Sequence, residues 1–135
     1  MAKITFSMGG VHPDDAKIAK DRPIEVLPLP KTVYVSMAQH LGAPAKPIVS
    51  VGQRVLTGQV IAEPGGFISA FIHSPVTGVV KAIAPYKDLS GRPVPHIQID
   101  VEEVDQWAEG IDLSEDLVTA IPEDRDFILG RIKSN

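Results

Sequence analysis

A mainly β fold of short strands and tight turns is what this sequence predicts, and three observations carry the prediction. Twelve prolines and eleven glycines stand against seven aromatic residues in a chain of 135, a balance that favours many short elements over long helices. Apolar residues recur with period two in "TVYVSMA" and "HIQIDVE", the spacing of strands with one face turned inward. Between Ile48 and Val60, "IVSVGQRVLTGQV" sets short β-branched pieces around Gly52 and Gly58, where chain reversals call for positive φ. At 44% hydrophobic and 22% charged, the composition is that of an ordinary globular domain, and the length suits one domain.

In chain order, residues 1–31 mix proline, glycine and charge and end in "RPIEVLPLPK". Pro23, Pro28 and Pro30 enforce an extended, polyproline-like path there, so this N-terminal arm is expected to pack on the domain. Residues 32–103 form the β module. Its first strand, "TVYVSMA", turns Val33, Val35 and Met37 to one face and Tyr34 and Ser36 to the other. "QHLGAPAKP" breaks the pattern, "GFISAFIHS" is expected as a strand of mixed faces, and "SPVTG" as a turn in which Gly78 permits the return. "VVKAIA" resumes the strand, "PYKDLSGRPVP" is a loop, and "HIQIDVE" places Ile97, Ile99 and Val101 inward with a wet polar face of His96, Gln98, Asp100 and Glu102.

Residues 104–135 change to helical spacing. "DLSEDLVTAI" offers Asp112 as a cap and Glu115 three residues on, with Leu117, Val118 and Ile121 on one face. "PEDRDFILGRIK" puts proline and acids at a helix start and Arg131 and Lys133 at its end, as the helix dipole prefers.

Charge and cysteine narrow the function classes. Residues 1–99 carry ten basic and six acidic groups, and residues 100–126 carry one basic and eleven acidic. A stretch so acidic repels phosphate backbones, which argues against nucleic acid as a partner. The chain has no cysteine, so it holds neither disulfides nor thiolate-ligated iron or zinc. No apolar run approaches the ~18 residues of a spanning helix, and the N-terminus lacks the apolar core of a secretion signal. The expectation is a cytoplasmic-side protein without direct membrane insertion.

No catalytic constellation emerges. His12, His40, His73 and His96 are too far apart in sequence to form a local ligand pair. The pairs Gly9-Gly10 and Gly65-Gly66 belong to no phosphate-cradling glycine motif. Catalytic, cofactor-binding and metal-binding residues are therefore expected to be absent.

The span from Pro47 to Ile83 resembles the barrel-sandwich hybrid of biotinyl and lipoyl domains. Those domains carry their group on a lysine at a hairpin tip, and the corresponding tip here, "EPGGFIS", has none; the nearest are Lys46 and Lys81. "SPVTG" also resembles the glucose-type phosphocarriers, whose paired histidines would fall to His73 and His96, although nothing around His73 matches that family's motif. A stand-alone carrier, a phosphocarrier and a cobalamin-reductase-like relative remain as alternatives.

The wider resemblance rests on "MGGVHPDDAK", "RPIEVLPLPK", the run from Ala38 through "QHLGAPAKP" and "SPVTGVVKAI", and "SGRPVPHIQI". These are similar, in order from about Phe6, to the N-terminal region of the C subunit of the Rnf electron transport complex. The resemblance implies a peripheral subunit on the cytoplasmic side of the cell inner membrane, in a complex that passes electrons between NADH and ferredoxin and moves ions. It also implies FMN, NADH and [4Fe–4S] clusters in the intact subunit, housed in a nucleotide-binding domain and cluster region absent from these 135 residues. For this chain it leaves a non-catalytic scaffold whose partners are the rest of its own subunit and the other Rnf subunits. The two Gly/Pro-fixed, histidine-bearing motifs are the expected contact surfaces: Gly9, Gly10, His12 and Pro13 in the arm, and Gln39, His40, Gly42 and Pro44 in the loop. The plainer alternative is that these motifs only close the fold.

Overall fold

The computed structural model describes residues 16–114, 116, 120 and 123–134. Seven strands build two sheets. One sheet runs in the order β1 (Thr32–Ser36), β7 (Pro93–Val101), β6 (Gly78–Lys87), β3 (Arg54–Val55); the other runs β2 (Lys46–Pro47), β4 (Val60–Glu63), β5 (Ile72–His73). Every strand pairing within the two sheets is antiparallel. The sheets enclose one core, with Met37, Val55, Ile61, Ala62, Ile97 and Ile99 sealed from solvent. This is the mainly β, barrel-sandwich architecture that the sequence implies.

The period-two reading holds in β1 and β7. Val35 and Met37 are buried while Tyr34 is exposed, and Ile97 and Ile99 are buried on either side of half-buried Gln98. Main-chain bonds at both ends of the β1–β7 pair fix the register: the Val101 N–H donates to Lys31 O at 3.0 Å, and the Met37 N–H donates to Pro95 O at 2.9 Å. The odd-numbered residues of β1 thus direct their main-chain groups to β7, and Thr32, Tyr34 and Ser36 turn theirs to the open edge. The side chain of Gln39 covers part of that edge by donating to Ser36 O at 3.0 Å.

Several expectations are corrected. The polar face of β7 is half-buried rather than wet. Tyr86 donates to Gln98 Oε1 at 3.1 Å and meets His96 edge-on, and Lys81 pairs with Asp100 at 3.0 Å. The loop expected over 85–95 is mostly strand, and only residues 88–92 form the turn between β6 and β7. Pro85 and Pro95 sit opposite each other in that hairpin. They are tolerated because Pro95 directs its main chain toward β1, so the missing N–H groups fall outside the β6–β7 ladder.

The strand expected over 66–74 shrinks to Ile72–His73, because Phe67 and Ile68 find no core to enter and stay exposed. Gly52 and Gly58 do adopt positive φ, but Gly78 does not. Gly78 is small for another reason: a Cβ there would collide with the carbonyl oxygen of Asp100 in the adjacent strand.

Of the one or two short C-terminal helices expected, one is described, α1 (Arg125–Ser134). Asp124 caps it, Oδ1 accepting from the N–H groups of Asp126 at 2.8 Å and Phe127 at 3.0 Å. Residues 111–114, 116 and 120 are not helical, and Asp112 instead accepts from the Ser114 N–H at 2.9 Å in a local turn. The remainder of that expected helix, with Glu115, Leu117, Val118 and Ile121, lies outside the described residues. In the arm, the described residues 16–31 are exposed, Ile18, Ile24, Val26 and Leu27 among them.

Candidate docking surface

The "QHLGAPA" loop meets the "EPGGFISA" loop at one end of the sandwich, and the two are fastened main chain to main chain. The Ala43 N–H donates to Ile68 O at 3.0 Å. Ser69 Oγ donates to Ala43 O at 2.9 Å while accepting from the Gly65 N–H at 3.0 Å. Glycine makes the approach possible: a Cβ on Gly42 would overlap Ile68 O, and one on Gly65 would overlap Pro44 O. Gly42 also sits at φ +92°, a conformation that other residues rarely adopt.

His40 completes the fastening. Its Nε2 accepts from the Ala70 N–H at 3.2 Å, and its Nδ1 lies 3.0 Å from Leu41 O. A ring that accepts at Nε2 and faces a carbonyl at Nδ1 carries its proton on Nδ1. The side chain is therefore spent on closing the fold.

Of the expected contact residues, Gly9, Gly10, His12 and Pro13 lie outside the described residues. Gln39, His40, Gly42 and Pro44 all lie in the interlocked loop. Gln39, Gly42 and Pro44 are exposed, with Gly42 packed close against Ile68, and His40 is half-buried. The residues that the loops actually project are apolar: Leu41 is 88% exposed, Ile68 63%, and Phe67 fully. These three were missed because they read as strand or as loop filler. The available signal was a large apolar side chain next to a glycine in each loop, Leu41 before Gly42 and Phe67 after Gly66.

The other end of the module is closed by polar contacts. Thr57 and Thr77, both buried, converge on Asp105, Thr77 donating to Oδ1 at 3.1 Å. The Gln106 N–H donates to Thr77 Oγ1 at 2.8 Å, the Ala108 N–H donates to Thr57 O at 2.9 Å, and Thr57 bridges Trp107 in parallel. Arg54 adds a two-pronged pair with Glu102 and reaches Gln106 Oε1 at 3.2 Å. The segment following β7 is thereby strapped back across the barrel.

For carrier or phosphotransfer chemistry the geometry offers little. The tip between β4 and β5 has no lysine, Lys81 is paired with Asp100, and His73 and His96 stand on different sheets. The dinucleotide and cluster groups implied for an intact subunit do not fit here. The chain has no thiolate to bind iron and no glycine loop to cradle a pyrophosphate. Among the described residues no three His, Asp or Glu side chains gather where they could hold a metal, and no helix is long and apolar enough to cross a membrane.

Comparison with known proteins agrees with the architecture. A family model described as the RnfC barrel sandwich hybrid domain matches residues 5–104. The chain belongs to this RnfC family. The C subunit of a proton-translocating ferredoxin:NAD(+) oxidoreductase complex from Clostridium ljungdahlii is 40% identical over 78% of this chain and 23% of its own length. The C subunit of an ion-translocating oxidoreductase complex from Pseudomonas aeruginosa is 47% identical over 64% of the chain and 12% of its own length. Its counterpart in a Na(+)-translocating ferredoxin:NAD(+) oxidoreductase complex from Acetobacterium woodii is 36% identical over 72% and 22%. The RnfC-type chain thus spans under a quarter of the length of these curated relatives. Their names differ in the ion moved.

Proposed function

We propose that this RnfC barrel-sandwich domain is a non-catalytic docking module of a peripheral subunit, working on the cytoplasmic side of the membrane within an ion-translocating ferredoxin:NAD oxidoreductase. Its task is mechanical: to seat the redox-active part of its subunit and to hold that subunit against its neighbours. FMN, NADH and the [4Fe–4S] clusters belong, in this reading, to other parts of the intact subunit.

The observation that carries the proposal is the pair of interlocked loops. Residues fixed by Gly42, Gly65 and His40 lose little further freedom on binding, so a contact made through them is entropically inexpensive. The chain has no cysteine, so in this reading the thiolate-held clusters sit elsewhere in the subunit. The experiment is affinity purification of the tagged native protein from its own cells, followed by assay and intact-mass analysis. Co-purification with NADH-dependent ferredoxin oxidoreductase activity and an unmodified mass for residues 1–135 are expected. Reduction of an acceptor by the isolated 135-residue chain with NADH, or a covalent adduct on Lys46, Lys81 or a histidine, would overturn the proposal.

A further inference from the structure

The exposed apolar side chains at the loop end have no cover within the described chain. Leu41 and Ile68 stand on opposite loops joined by the Ala43–Ile68 main-chain bond, and Phe67 projects directly after the pair Gly65-Gly66. Phe67 and half-buried Phe71 line a shallow depression together with Lys133 of α1. The last described helix therefore lies beside this loop end. The helix has no buried residue of its own, and Phe127 and Ile132 are exposed on it. One occupant covering both would bury the loop tips and the helix together.

Resting on the proposed function, we infer that this occupant is the remaining polypeptide of the same subunit, packed in cis against Leu41, Phe67 and Ile68. Two observations favour it over a neighbouring subunit. The chain accounts for 23% or less of the length of the relatives cited above, so most of such a subunit is available to pack. Lys133 lines the same depression as Phe67 and Phe71, so an element of this chain already reaches the loop end. A rigid apolar protrusion beside the path of its own chain suits an intramolecular domain contact.

The test is site-specific photo-cross-linking in the intact subunit carrying Phe67→p-benzoylphenylalanine, made in its own cells, with Leu41→p-benzoylphenylalanine as a second probe. Leu89→p-benzoylphenylalanine, in the fully exposed turn between β6 and β7, is the control. Illumination should join position 67 or 41 to a peptide of the same subunit outside residues 1–135, in a product of monomer mass. The product should form to the same extent in cells lacking the other subunits, and at least tenfold more than from position 89. A link to another subunit, a product of doubled mass, or yields equal to the control would overturn the inference. An intramolecular link in a protein that purifies without oxidoreductase activity would support the cis contact and overturn the functional reading instead. Because Phe67 is fully exposed, its replacement tests docking without testing folding.

Discussion

Thr57 and Thr77, twenty residues apart, face each other with their hydroxyl oxygens 3.2 Å apart and share the carboxylate of Asp105. Each is followed by glycine, in "LTGQV" and "VTGVV", so equivalent turns from the two halves of the sandwich meet at one point. Burying two hydroxyls is tolerable only because both are fully bonded. Asp105 and Gln106 supply those bonds, which explains why the segment after β7 returns across the barrel instead of leaving it.

Replacing Thr77 with valine preserves shape and removes the hydroxyl that bonds Asp105 and both main-chain groups of Gln106. The Gln106 N–H then loses its partner, at an expected cost of about 1–3 kcal/mol. Chemical denaturation should show this as a lower midpoint with an unchanged slope. A midpoint within error of the parent would mean that the strap contributes nothing to stability.

Gly42 and Gly52 separate two costs of adding a side chain. Both have positive φ, but a Cβ at Gly52 meets nothing within 4 Å, whereas one at Gly42 strikes the main chain of Ile68. Gly52→Ala should cost about 1 kcal/mol from backbone strain alone, and Gly42→Ala clearly more, as the loops are forced apart. Thermal melts of the two variants provide the comparison. Equal losses would show that the loops are not interlocked as described.

In its neutral form His40 should carry its proton on Nδ1, because Nε2 accepts from the Ala70 N–H. Long-range 15N–1H correlation spectra above pH 8 distinguish the tautomers directly. In His40→Ala the Ala70 amide should exchange with solvent at least tenfold faster, since its acceptor is gone. A proton found on Nε2 would contradict the loop geometry.

Acid should loosen the β6–β7 turn. The Ser90 side chain, followed by the Arg92 main chain, holds the Asp88 carboxyl down, from 3.8 to about 2. A carboxyl that titrates lower in the folded state stabilises fully above its unfolded value, and that contribution disappears as pH falls from about 4 to about 2. Asp100, held low chiefly by its bond to Lys81, and Glu102, held low by Arg54, act with the same sign. Asp88→Asn should flatten the pH dependence of local exchange at Ser90 and Arg92 in that window. An unchanged profile would remove Asp88 as its source.

What the sequence made legible follows physical range. Period-two alternation identified the buried faces of β1 and β7, since each strand carries that pattern locally. The positive φ of Gly52 and Gly58 was equally local. Gly78 was misread as a turn glycine because its constraint comes from Asp100 on another strand, and Pro85 and Pro95 were misread as breakers because tolerance depends on which edge of β7 faces β1. The docking surface was half legible. "QHLGAPA" was singled out, but the partner loop, the inward turn of His40 and the outward turn of Leu41 and Phe67 depend on contacts that no linear spacing encodes.

The most direct test of the docking account is the double variant Leu41→Ser/Phe67→Ser in the intact subunit, with assembled complex and activity per assembled complex measured separately. Because the two side chains pack against the rest of their own subunit, the account predicts at least a severalfold drop in active complex, whether the unseated subunit fails to assemble or assembles with lost activity. Parental assembly together with parental activity per complex would contradict it.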